Sequence, residues 1–232
     1  MNRSDKSPPS SPSTNAATSL KAECLQRDGF RCVFSHIPDD ESAEEGLVAL
    51  PPGTTVMPTD PTHILPLALG KFNNANGVER EAVANVWYAL YRYFPGLVGK
   101  IASDSLNQHR NLITLSISIN YVFEGHRLAF DPIFNQPMAY TIHRLWKYRP
   151  LAEPPRDHED IMTLVSSNNS FLLPEPEFFK THYQITKILH ISGIKEKINS
   201  EIRASKSDPE DINPDGSTDL GAILHRKMLL NI

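Results

Sequence analysis

Thr62-His63-Ile64-Leu65-Pro66 and, further along, Asn111-Leu112-Ile113-Thr114-Leu115-Ser116 running into Ile119-Asn120-Tyr121-Val122-Phe123-Glu124 are the stretches whose reading decides the fold. The first is an apolar strand ending at a proline, with a histidine in it. The second is a strand, and Ser116 or Ser118 is the N-cap expected for the helix that carries Asn120. The order is therefore strand, strand, helix, with one polar side chain of interest on each element.

Outward from this centre, residues Met1 to Ser19 are Ser, Pro, Thr and Asn with little to bury, which predicts a disordered tail. A helix is expected from near Ser19 through Arg27, stopped by Asp28-Gly29. Phe30-Arg31-Cys32-Val33-Phe34 alternates as a short strand, an acidic loop runs from Asp39 to Gly46, and Leu47–Leu50 reads as another strand before Pro51-Pro52-Gly53. Arg80–Val98 has Val83, Val86, Trp87, Leu90, Tyr91 and Phe94 near helical spacing and is closed by Pro95-Gly96. Leu128–Ile133 and Ala139–Trp146 form a β-hairpin around Asn135-Gln136-Pro137. Glu175–Ile198 is amphipathic and helical. Asp208–Thr218 is an acidic linker and Ile223–Ile232 a short terminal helix. Helices interleaved with short strands place the chain in the α+β class.

At 232 residues the chain holds one sizeable domain with flexible ends, divided here into a tail (1–19), a main domain (20–150), a helical extension packed on it (151–200) and a terminal linker with helix (201–232). The net charge of −4 gives no global field for nucleic acid. The middle is nonetheless mildly basic. Between Lys71 and Lys147 eight basic residues face five acids, while acids gather in Asp39–Glu45 and Asp208–Asp219. Two cysteines, Cys24 and Cys32, make no disulfide framework. No apolar run approaches the roughly 20 residues that span a bilayer. The N-terminus has no apolar segment of a secretory signal. An intracellular location, nucleus or cytoplasm, is the expectation.

The residue types at the centre fit phosphodiester hydrolysis. That reaction needs a water activated by a base and a cation to stabilise charge on the phosphate. A neutral imidazole is a suitable base near pH 7 once its tautomer is held, and His63 takes that role. Asn111 on the neighbouring strand orients the His63 loop or ring. Asn120, one turn into the helix, faces a divalent cation, Mg²⁺ or Mn²⁺. Glu124, four residues on, shares its helical face and adds an oxygen donor. Arg110, His126 and Arg127 are the residues expected on DNA phosphates. Six residues on from Asn120, His126 lies about 120° around the helix from it, as a surface or phosphate-contacting residue. Cys24, Cys32 and His36 are irregularly spaced and make at most three zinc ligands, so no structural zinc is expected.

In order along the chain, Arg27-Asp28-Gly29-Phe30-Arg31-Cys32-Val33-Phe34, Thr62-His63-Ile64-Leu65-Pro66, Trp87-Tyr88-Ala89-Leu90-Tyr91-Arg92-Tyr93-Phe94-Pro95, Asn111–Ser116, Phe130-Asp131-Pro132 and Thr181-His182-Tyr183-Gln184-Ile185-Thr186-Lys187-Ile188-Leu189-His190-Ile191-Ser192-Gly193 resemble the HNH endonuclease superfamily, and more closely its members in filamentous fungi. The resemblance spans about Leu20 to Ile198. It implies a ββα-metal core with an inserted helix, a β-hairpin and a helical C-terminal extension. It also implies a metal-dependent hydrolase acting on DNA. The chain departs from the family pattern in three places. Thr62 stands where an Asp or His metal ligand often precedes the base. Asn120 stands where the helix usually carries His. The paired CxxC zinc knuckles are missing. Two metal-side positions are softened in this way.

Each of these residues also has a plainer reading. His63 fits a core-edge histidine bonded to backbone, Asn111 a strand-end bridge, and Glu124 a solvated helix charge. Trp87, Tyr91 and Phe94 read as core. The competing function is a catalytically degenerate scaffold that binds protein or nucleic acid, with a protein partner on the C-terminal helices.

Overall fold

The computed structural model describes residues 12–70, 77–102, 105–146, 150, 160–198 and 200. The expected acidic linker and terminal helix lie outside them. The architecture is α+β: five α-helices and two small antiparallel sheets among the described residues.

The first helix, α1, runs from Pro12 to Arg27 and so begins well before Ser19. Proline is compatible with a first helical position, where its missing N–H has no helical partner to lose, and Ala16-Ala17 favour helix. It stops where expected, with Gly29 at φ 69°. A side chain there would meet the Ser167 hydroxyl at 2.7 Å, so both the backbone and the close approach require glycine. The strand expected at Phe30–Phe34 is replaced by a tight turn. Phe30 and His36 both take positive φ, Arg31 bridges Pro38, and the Cys32 N–H donates to the Ile37 carbonyl at 3.0 Å. The expected acidic loop is in part a helix, α2 (Asp40–Glu44), and Leu47–Leu50 is no strand. The cause is Asp39. Its carboxylate accepts from the Ser42 N–H at 2.9 Å and from the Ser42 hydroxyl at 2.7 Å, and it reaches the Thr59 N–H and hydroxyl as well.

Strand β1 (Thr59–His63) pairs antiparallel with β2 (Leu112–Ser116), His63 opposite Leu112 and Thr59 opposite Ser116. Helix α3 (Gly77–Tyr93) lies between them in sequence. It begins three residues before the expected Arg80 and ends at Tyr93, ahead of a 3-10 turn at Pro95–Leu97. Trp87, Tyr91 and Phe94 pack against the core, as read; Trp87 Nε1 donates to Leu69 O (2.9 Å) and the Tyr91 hydroxyl to Ile101 O (3.0 Å). Helix α4 (Ile117–Glu124) follows β2 directly and contacts both strands. The hairpin β3 (Leu128–Pro132) and β4 (Ala139–Arg144) forms with Asn135 and Met138 at positive φ, and a further strand, β5 (Ile161–Thr163), pairs with β4.

Helix α5 (Pro176–Ile191) packs on β3 and shares the same core. Phe130 meets Phe34 at 5.8 Å, Phe123 at 5.6 Å and Phe179 at 5.9 Å between ring centroids, so the hairpin, α4 and α5 are tied by one aromatic cluster. No helix among the described residues is long and apolar enough to cross a membrane.

Candidate functional site

The β1–β2 pairing brings Asn111, the residue before β2, against the chain that leaves β1. The Ile64 N–H donates to the Asn111 carbonyl at 2.9 Å. The fully buried Asn111 side chain then holds both sides of Leu65: Nδ2 donates to the Leu65 carbonyl at 2.9 Å, and Oδ1 accepts from the Leu65 N–H at 2.8 Å. The second Nδ2 hydrogen goes to the Leu106 carbonyl at 2.9 Å. Asn111 therefore fixes the backbone two residues past His63. The half-buried His63 has Nε2 3.0 Å from the Asn107 amide oxygen. Asn107, four residues before Asn111 in a polar loop, carries no periodic signal, and the sequence reading missed it.

Helix α4 turns Ile119, Val122 and Phe123 into the core and leaves Ile117, Tyr121 and Glu124 outside. Ser116 occupies the N-cap position but makes no capping hydrogen bond. Asn120 sits at the border between the two faces, and its Oδ1 is enclosed with no hydrogen-bond partner, as are Ser116 Oγ and Ser118 Oγ at the start of the same helix. Glu124 is one turn further on and exposed, so both of its oxygens are open to an ion or to water.

Thr62 is placed differently from the expectation of a metal-side oxygen. It is 1 % exposed, and its hydroxyl has the Asp60 carbonyl at 3.5 Å. Neighbouring residues of a strand face opposite ways, so Thr62 and His63 leave β1 on opposite sides. Among the described residues, no group of three or more His, Cys, Asp or Glu side chains is placed to hold a metal ion. Of the three residues read as metal-side oxygens, Asn120 and Glu124 remain, one turn apart on α4. An amide oxygen and one carboxylate suit a hard, largely hydrated cation such as Mg²⁺ and do not suit zinc.

Of the three residues expected on phosphates, two are otherwise engaged. Arg110 forms an ion pair with Glu175, which also takes Lys100 Nζ at 2.6 Å. His109, beside it, lies 3.0 Å from Glu23 and stacks on Phe171 at 5.2 Å. His126 is not a surface helix residue, because α4 ends at Glu124 and His126 turns the chain at φ 49°. Its ring stacks on His182 at 4.9 Å, His182 stacks on Phe123 at 4.1 Å, and His126 Nδ1 is 2.7 Å from the Thr186 hydroxyl. Burial, with a smaller contribution from Lys195 and His190, pulls the His126 ring down to about 4. It is a neutral packing residue at pH 7. Arg127 alone of the three remains open, with its guanidinium 4.6 Å from the Tyr121 ring centroid.

Sequence reasoning did not foresee the ties from this region to α5, through His182, Thr186 and Glu175. Nothing short-range marks them, since each joins residues at least 56 positions apart. In comparisons with known proteins, no family model matches the chain, and no curated protein or solved structure is significantly similar to it.

Proposed function

We propose that the chain is an HNH-type endonuclease with a ββα-metal core formed by β1, β2 and α4, hydrolysing phosphodiester bonds in DNA with a divalent cation. The observation that carries this reading is the enclosed, unpartnered Oδ1 of Asn120 on the helix that follows the His63–Asn111 strand pair. A buried acceptor without a donor is unfavourable by about 1–3 kcal/mol, and a cation shared with Glu124 would satisfy it. When bound, Mg²⁺ or Mn²⁺ supplies charge stabilisation at the phosphate. His63 accepts the proton of the attacking water. Asn111 keeps the His63 strand end in place through Leu65, and Asn107 orients the ring through Nε2.

The test is nicking of supercoiled plasmid with Mg²⁺ or Mn²⁺ by the wild type, His63→Ala and Asn120→Ala. Metal-dependent nicking lost in both variants supports the reading. Folded wild type that nicks no more than His63→Ala overturns it.

A second reading, a scaffold of the same type kept as a protein- or nucleic-acid-binding module, is favoured by the inward placement of Thr62 and the thin donor set. In that case neither Mg²⁺ nor Mn²⁺ raises the melting temperature, because no metal binds the native state preferentially.

A further inference from the structure

Tyr121 follows Asn120 on α4 and lies on its outer face with Ile117 and Glu124, its ring 70 % exposed. Arg127 lies over one face of the ring, its guanidinium carbon 4.6 Å from the centroid, and its Nη2 reaches the Tyr121 carbonyl at 3.4 Å. Lys195, from the helical stretch after α5, approaches the same corner. Its Nζ donates to the His126 carbonyl at 3.0 Å, next to Arg127, and lies 3.0 Å from His190 Nε2. Neither cation forms an ion pair with a described carboxylate, in contrast to Arg110 and Lys100, which Glu175 neutralises. Burial and the nearby charge of Arg127 lower the Lys195 ammonium below its ordinary value. Two cations are thus crowded together beside an open aromatic ring, and the nearby Glu196 works against the shift of Lys195 without reversing it.

We propose that Tyr121, Arg127 and Lys195 form a docking platform for a single nucleic-acid strand, in which Tyr121 stacks on an unpaired base and the two cations hold phosphates. The chemistry selects this occupant. A ring with one face covered by guanidinium and the rest exposed offers a stacking surface that any base can use, and cations alongside track the backbone. Bases within a duplex present only their edges to a groove, so a duplex would gain from the phosphate contacts alone. The proposal deepens the nuclease reading by naming the substrate contact next to Asn120, and it requires binding, not turnover.

The experiment is fluorescence polarisation of the full chain in EDTA with a labelled 12-nucleotide DNA strand and with the same strand in a duplex, over a range of salt. The wild type is expected to bind the single strand more tightly than the duplex. Tyr121→Phe keeps that preference. Tyr121→Ala weakens single-strand binding by roughly tenfold or more and removes the preference. Arg127→Ala with Lys195→Ala lowers the slope of log K against log salt by about 1.4, two phosphates at about 0.7 each on a single strand. Equal binding of the two DNAs by wild type, or undiminished binding by a Tyr121→Ala protein with wild-type circular dichroism, overturns the platform. Binding with the expected pattern from a protein that fails to nick plasmid would overturn the nuclease reading and leave the platform standing.

Discussion

Arg27 grips the carboxylate of its own neighbour, Asp28, and the two are sealed inside the protein: Nε donates to Oδ1 at 2.7 Å and Nη2 to Oδ2 at 2.8 Å, with both side chains at most 3 % exposed. The remaining donors of the guanidinium reach the carbonyls of His109 (2.9 Å), Leu172 (3.2 Å) and Leu112 (2.8 Å), and Asp28 Oδ2 accepts from the Thr114 N–H at 3.0 Å. A helix end, the strand β2 and the segment before α5 are thereby joined at one point. Strand β2 is the element that carries Asn111 at its entrance.

Asp28→Ala should therefore be far more damaging than a surface charge deletion, because it leaves the Arg27 cation buried and unpaired. The expected loss is about 3–5 kcal/mol, read by urea denaturation. The pair Arg27→Met with Asp28→Ala should recover part of that loss, since it removes both buried charges. A single variant that costs no more than an exposed ion pair would show that the charge is not isolated from water.

Much of this arrangement was legible from residue patterns, and the limits were physical. The stop of α1 at Asp28-Gly29, the strand–helix run from Leu112 to Glu124 and the β3–β4 hairpin all follow from short-range periodicity and from turn residues. Asn111 was legible as an orienting amide, although its target, the Leu65 backbone, comes from the register of β1 on β2. The turn at Cys32–Ile37 was hidden, because an alternating stretch conceals the positive φ of Phe30 and His36. Helix α2 was hidden because its stability comes from Asp39 meeting Thr59, twenty residues away. His126 was misplaced by extending α4 two residues too far.

Asn111→Ala should destabilise the protein by roughly 2–4 kcal/mol. It removes three buried hydrogen bonds, each with a net worth of about 0.5–1.5 kcal/mol, and strands the Leu65 N–H and C=O. Hydrogen exchange offers a sharper check than the melting curve. The Leu65 amide, bonded at 2.8 Å to Asn111 Oδ1 in the native protein, should lose protection selectively in the variant. Unchanged protection at Leu65 would deny the clamp.

Glu175 anchors the start of α5 to the region before β2. Its N–H donates to the Arg110 carbonyl at 2.9 Å, while its carboxylate takes Lys100 and Arg110. Although burial works against the charged form, the hydrogen bonds and charges of Lys100 and Arg110 prevail and hold the carboxyl below its ordinary range. A depressed folded pKa adds stability above the unfolded value, and that stability is lost as pH falls through the folded one. Glu175→Gln should thus be less stable than wild type at pH 7, by about 1 kcal/mol after allowing for two partly exposed partners. The difference should shrink as pH falls below the ordinary glutamate value of about 4.3. A difference that does not shrink on acidification would assign the effect to packing.

The Phe123–His182–His126 stack also loses stability as pH falls, but over a higher window than Glu175. His182 is 4 % exposed, and burial, then the neighbouring His126, pulls its ring down to about 3; His126 is at about 4, with burial the main cause. In the unfolded chain both histidines titrate near 6.5. Below that value the unfolded state binds protons that the folded state refuses, so stability is full above about pH 6.5 and declines as pH falls toward 4. Each histidine contributes a slope of about 1.4 kcal/mol per pH unit in that window, so the pair should produce a steep, salt-insensitive loss of stability between pH 6 and 4. His182→Phe keeps an aromatic ring between Phe123 and His126 and removes one titrating group. The variant's stability should fall about half as steeply over the same window, while its stability at pH 7 stays close to wild type. Denaturation midpoints of the two proteins at pH 7, 6, 5 and 4 decide the matter, and parallel curves would mean that His182 is not the group whose protonation the fold resists.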